Sequence, residues 1–207
     1  MLATIRNTLL ALLVAGPALA QGEAMTSGGD LFASGVSARS TAEAERDLFA
    51  AGARVRVTGA VAGDLHATGF DVNVAGETGG DLYAAGSDVT LEAPVGEDVT
   101  ATAGSLTLAR DATVAGNARL TGGTVTVEGP IDGSLLLAGG DVLIDGAVEG
   151  DVTVAAGALA FGPEARIGGR LLHAGPEPVE VPAAVAPPDR VTFERMSRPE
   201  VLREAGE

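Results

Sequence analysis

Apolar and polar residues alternate along this chain in short runs that return at a fixed interval. GDLFASG at 29–35 recurs as RDLFAAG at 46–52, GDLHATG at 63–69 and GDLYAAG at 80–86. Asp30, Asp47, Asp64, Asp81 and Asp98 therefore stand seventeen residues apart. Weaker copies open at Asn117, Ser134, Asp151 and Arg170, after two intervals that lengthen to nineteen. After each opening residue come two apolar positions with one outward position between them, as in Leu48 and Ala50 or Leu65 and Ala67. A second pair follows, as in Val55/Val57, Val72/Val74, Leu106/Leu108 and Val142/Ile144. A third, single position carries Val61, Val95, Val114, Ile131, Val148 and Ile167. Period-two alternation marks strands with one buried face, and a fixed period marks a stack of structural units.

The expected fold is all-β: a three-sided parallel β-helix with three short strands in each seventeen-residue coil. It occupies residues 21–181. Stacked about 4.8 Å apart, eight coils make a rod about 40 Å long. Glycines such as Gly52, Gly63, Gly69 and Gly80 stand at the corners, where a positive φ carries no Cβ penalty in glycine. The two longer intervals, at Arg110–Ala112 and Pro163–Ala165, are expected to bulge outward. The stretch Ser40–Glu45 lacks the apolar pattern and reads as a loop or cap. Residues 182–207 read as a Pro/Ala-rich linker followed by a short helix from Arg198 to Ala205, which Ser197-Arg198-Pro199-Glu200 opens as a capping box. Val191, Phe193 and Met196 are candidates to dock on the rod.

Residues 1–20 stand outside the repeat. Arg6 precedes an apolar run from Leu9 to Ala15, and Ala18-Leu19-Ala20 provides a small-residue cleavage site. This is the pattern of a secretory signal peptide. The mature chain is then expected to be periplasmic or secreted, without membrane insertion. Removing Arg6 takes the formal charge from −15 to −16. Such acidity disfavours nucleic acid and anionic surfaces as partners. With 30 glycines, no cysteine and 3% aromatic residues, the composition suits a narrow core of stacked aliphatics rather than a wide globular one.

Three outward columns are candidates for chemistry. The aspartates either ligate a cation, as hard oxygen donors do, or hydrogen-bond the backbone of their own turn. Replacement by Asn117, Ser134 and Arg170 favours the turn role, and no metal or cofactor is expected. Thr90, Thr107 and Thr126 form a short array, too shallow and too mixed with charge for ice binding. Phe32, Phe49, His66 and Tyr83 fall in one column and include three of the six Phe and Tyr residues. They are either a covered ladder or a lateral binding face for a protein or glycan. Catalysis finds little support: His66 and His173 lie on different faces, and the chain has neither cysteine nor lysine.

The stretch PIDGSLLLAGGDVLIDGAVEGDVTVAAGALAF at 130–161, with GPEARIGGRL at 162–171, resembles the bactofilins, the polymer-forming cytoskeletal proteins of bacteria. The likeness extends over roughly residues 26–181. It implies a right-handed β-helix and assembly end to end without nucleotide; the leader points to a secreted or envelope-associated relative. The expected function is a non-enzymatic, polymer-forming scaffold of the envelope, with Leu31, Ala33, Leu171 and Val179 burying at the junctions between copies. The alternative is a monomeric binding module that uses the aromatic column.

Overall fold

The computed structural model describes residues 23–196; the leader and the C-terminal helix expected from the sequence lie outside them. The chain winds as a parallel β-solenoid of about ten turns with about 17 residues per turn. One sheet runs its whole length. Its strands are β1 (Glu23–Ser27), β2 (Asp30–Ser40), β3 (Leu48–Val57), β4 (Leu65–Val74), β5 (Leu82–Leu91), β6 (Val99–Leu108), β7 (Ala118–Val127) and β8 (Leu135–Ile144), followed by β10 (Val152–Phe161), β12 (Leu171–Gly175) and β13 (Val191–Arg195). Two-residue strands β9 (Ala147–Val148) and β11 (Arg166–Ile167) pair on the third side.

Pairing between coils follows the repeat: Leu48 lies beside Leu65, Leu65 beside Leu82, and Val55 beside Val72. The inward columns form one continuous core, in which Leu48, Leu65, Leu82, Leu108, Ile144 and Leu171 have no exposed surface. Where the sequence suggests two short strands, each long strand instead runs through the first corner unbroken. In β3 the burial phase slips between Ala50 and Val55, so a single ten-residue strand serves two sides. The third side narrows to single bridges, Ala44–Val61–Thr78–Val95–Val114–Ile131–Val148. Thr78 is fully buried in that aliphatic column, and its hydroxyl has no partner.

Four further points refine the expectations. Ser40–Glu45 is part of a regular coil: Ser40 and Ala44 are buried, and Ala44 bridges Val61. The long corners bulge outward at the exposed turns Arg110–Asp111 and Pro163–Glu164 and then turn back inward. Ala112 and Ala165 are fully buried, and Asp145 braces both corners by accepting from Arg110 Nη2 (3.3 Å) and from the Glu164 N–H (2.8 Å). Residues 182–195 are not a plain linker. Val185 and Ala186 are buried, a single 3₁₀ turn spans Pro188–Arg190, and Val191–Arg195 adds β13 parallel to β12. Arg190 donates to the Gly168 carbonyl and ties this segment to the rod.

The fourth concerns glycine. Positive φ occurs at Gly28, Gly29 and Gly35 alone among the described residues. Gly28 and Gly29 form the two-residue turn of a hairpin that lays β1 antiparallel on β2. Elsewhere the repeat glycines answer crowding: a Cβ at Gly63 or Gly80 would collide with the carboxylate of Asp47 or Asp64 from the preceding coil.

Candidate interaction surface

Contrary to the expectation that the aspartates bond the backbone of their own turns, Asp47, Asp64, Asp81, Asp98 and Asp151 reach forward one coil. Asp47 Oδ1 accepts from the Asp64 N–H (3.0 Å), Asp64 Oδ1 from the Asp81 N–H (2.9 Å) and Asp81 Oδ1 from the Asp98 N–H (2.9 Å). Asp98 Oδ1 accepts from the Asn117 N–H (2.7 Å), and Asn117 Oδ1 from the Ser134 N–H (3.0 Å). Asn117 thus does the same work with an amide oxygen. The glycine before most of these residues leaves room for the neighbour's oxygen; Glu97 shows that a side chain is tolerated there, since Asp98 still bonds Asp81. Arg46 replaces that glycine next to Asp30, whose Oδ1 lies 3.6 Å from Arg46 Nε and accepts no hydrogen bond.

These bonds account for the electrostatics of the column. The Asn117 N–H, helped by the Arg119 guanidinium, holds the Asp98 carboxyl below the usual carboxylate range. The Arg170 N–H and guanidinium do the same for Asp151. One oxygen of each of these carboxylates is committed to the backbone, and among the described residues no three metal-ligating side chains converge.

The aromatic column is a true stack. Consecutive rings of Phe32, Phe49, His66 and Tyr83 lie 5.2, 4.7 and 4.9 Å apart, with planes 10°, 2° and 4° from parallel. Strand register imposes this, because the four residues are direct partners across β2, β3, β4 and β5. Met25 of β1 faces Phe32 and extends the column by one step, at 63% exposed. The sequence reading missed Met25; Gly28-Gly29 between two short runs was the hairpin signal for it. At the other end, Tyr83 is 40% exposed and donates from its hydroxyl to Asp81 Oδ2 (2.9 Å). That bond and the Asp81 charge push the phenol pKa up.

Beside the ladder, on the side away from the aspartates, Ser34, Ala51, Thr68 and Ala85 form a shelf of small residues. Ladder and shelf bound an open groove of about 570 Å³, lined mainly by carbon. No described element covers it. Further along the same side, the outward positions are Thr100, Arg119, Leu136 and Thr153, and the aromatic character ends.

The residues expected at open ends are instead interior. Leu31 and Ala33 lie under β1, paired with Thr26 and Ala24. Leu171 pairs with Val191 and is fully buried, and Val179 packs partly buried against the core. Thr90, Thr107 and Thr126 align in register, bounded by Asn73 and Leu143. His66 and His173 are separated as expected, His173 lying buried on the inward column against Phe193.

The fold and this surface define a class, a parallel β-solenoid with one laterally exposed aromatic ladder. No family model, curated protein or solved structure matches the chain.

Proposed function

We propose that this protein is a non-enzymatic scaffold of the cell envelope whose working surface is the ladder groove, and that the groove receives an apolar protein surface. The observation that carries this is the face-to-face stack of four rings beside a shelf of small residues that no described element covers. Glycans bind aromatic residues mainly across ring faces. Here the inner faces are taken up by neighbouring rings, so a ligand meets ring edges and aliphatic side chains. Such a surface suits interdigitating side chains better than a sugar. The envelope location rests on the leader pattern at residues 1–20. Benzoylphenylalanine placed at position 68 tests the reading: a discrete protein adduct is expected in cells. Retention on insoluble glycan with no protein adduct overturns it.

A second reading, polymer formation through the ends, is favoured by the two edge strands. Among the described residues, β1 and β13 each have one side without a strand partner, and bare edges invite pairing. The likeness to bactofilins supports it as well. The junction would then be backbone pairing of β13 with the next copy's β1, antiparallel because β1 runs against β2, rather than burial of Leu31, Ala33 and Leu171. Filaments seen by electron microscopy that vanish in Arg195→Pro, which removes an edge N–H and leaves those that pair with β12, support it; a chain that forms none at any salt concentration sinks it.

A further inference from the structure

We infer that the ladder groove is filled by the ladder of a second copy of this chain, the two rods lying side by side with the same polarity. The inference rests on the reading above, that the groove is a protein contact, and adds the partner and its orientation.

The first argument is dimensional. Three ring-to-ring steps of 5.2, 4.7 and 4.9 Å set the length and pitch of the ladder. The shelf of Ser34, Ala51, Thr68 and Ala85 stands on the same four strands, two residues further along each. Ridge and trough therefore share length and repeat on one facet.

Symmetry then selects the arrangement. A two-fold axis parallel to the rod, running between ladder and shelf, lays each ladder on the other copy's shelf and keeps β3 level with β3. The contact is isologous and closes on itself. A two-fold axis parallel to the strands would instead set ladder against ladder and leave both shelves empty. It would also bring the two aspartate columns face to face, an unfavourable contact for a chain of net charge −15. In the favoured arrangement Asp47, Asp64 and Asp81 lie beyond the ladder, on opposite rims of the pair.

Area sets the strength. Four strands about 4.8 Å apart, each contributing roughly six residues, give a footprint of roughly 400 Å² on each copy. Stable complexes bury about 1,200 Å² or more in total. Isolated rods are thus expected to pair weakly, and rods joined into longer assemblies to pair more strongly through repeated contacts.

The chain contains no cysteine, which makes the test direct. Ser34→Cys and Ala85→Cys proteins at high concentration are treated with a bis-maleimide spanning about two strand spacings, roughly 10 Å. Each variant is expected to crosslink to itself, while a mixture yields few Ser34–Ala85 adducts, because those sites lie three strands apart. Ala51→Arg adds a long side chain on the exposed shelf and is expected to lower crosslinking about tenfold or more, the size of a lost anchor contact, with thermal unfolding unchanged. Predominant Ser34–Ala85 adducts overturn the parallel arrangement, and pairing indifferent to Ala51→Arg overturns the inference. If the benzoylphenylalanine at position 68 then captures a different protein, the groove is still a contact surface and only the second copy is wrong. Capture of nothing, or of the chain's own residues 197–207, removes both readings.

Discussion

β5 and β8 share a backbone, a register and a core, and differ in what they present outward. Leu82, Ala84, Val89 and Leu91 of β5 are buried, as are Leu135, Leu137, Val142 and Ile144 of β8. Outward, β5 offers Tyr83 at the end of a stack of rings, while β8 offers an isolated Leu136, 53% exposed. Coils in a solenoid stand on their neighbours through inward columns and backbone pairing, so outward positions are free to vary. A column that keeps large flat side chains over four adjacent coils is therefore informative in a way that the aspartates, committed to the backbone, are not.

The largest test of that contrast sets neighbouring residues against each other. Leu82→Ala and Leu135→Ala should each cost about 3 kcal/mol, the usual penalty for a buried leucine left as a cavity. Tyr83→Ala, one residue from Leu82, should cost about 1 kcal/mol or less, the worth of a stacked aromatic contact. Urea unfolding of the three variants decides it. A Tyr83→Ala loss equal to that of Leu82→Ala would make the ladder a covered part of the core.

Next in size is the aspartate column. Asp64→Ala should cost about 1–2 kcal/mol, because the Asp81 N–H loses a partly buried acceptor. Asp64→Asn should be near neutral, since Asn117 already fills this role. Asp98 and Asp151 are held below the usual carboxylate range. Their contribution is full above the unfolded pKa of about 3.9 and is lost as pH falls through the lower folded value. Asp98→Asn is therefore expected to flatten the acid limb of the unfolding curve measured below pH 4, and an unchanged limb would count against the forward bond.

The inward columns were legible because period-two alternation repeated at seventeen residues admits few other structures: Leu48, Val55 and Val61 occupy the three sides as the pattern required. The aromatic column was legible for the same reason. The partner of each carboxylate was not, because it lies one coil away and depends on how tightly the coils stack. β1 and β13 were missed because they fall outside the period. A single strand added at an end is held by one neighbour's edge rather than by a column of its own. The burial of Leu31 and Leu171 follows from those additions, which place each of them one strand in from the end of the sheet.

His173 sharpens the contrast at the plain end of the rod. It stands in the inward column that holds Leu120 and Leu137 in earlier coils, and burial lowers its pKa below the ordinary 6.5. A base with a depressed folded pKa stays neutral in the native state while the unfolded chain takes up a proton. Stability is thus full above about pH 6.5 and falls as pH drops toward the folded pKa. His173→Leu should remove that slope, and hydrogen exchange in β12 and β13 across this range should show the difference.

The smallest effect belongs to the Tyr83 hydroxyl. Asp81 raises the phenol pKa in two ways that act together: its Oδ2 accepts a hydrogen bond that only the neutral phenol can donate, and its charge repels the phenolate. Tyr83 is the one tyrosine in the chain, so the ultraviolet absorbance of phenolate reports this group alone. Titration should place its midpoint above 10, the ordinary value. Asp81→Asn keeps an oxygen for the Asp98 N–H, as Asn117 does for Ser134, but removes the charge, and should return the midpoint toward 10. A wild-type midpoint already at 10 would mean that the hydroxyl is not held against the aspartate column. The ladder would then end in a ring oriented by stacking alone, which is the arrangement that an isolated Leu136 on β8 cannot provide.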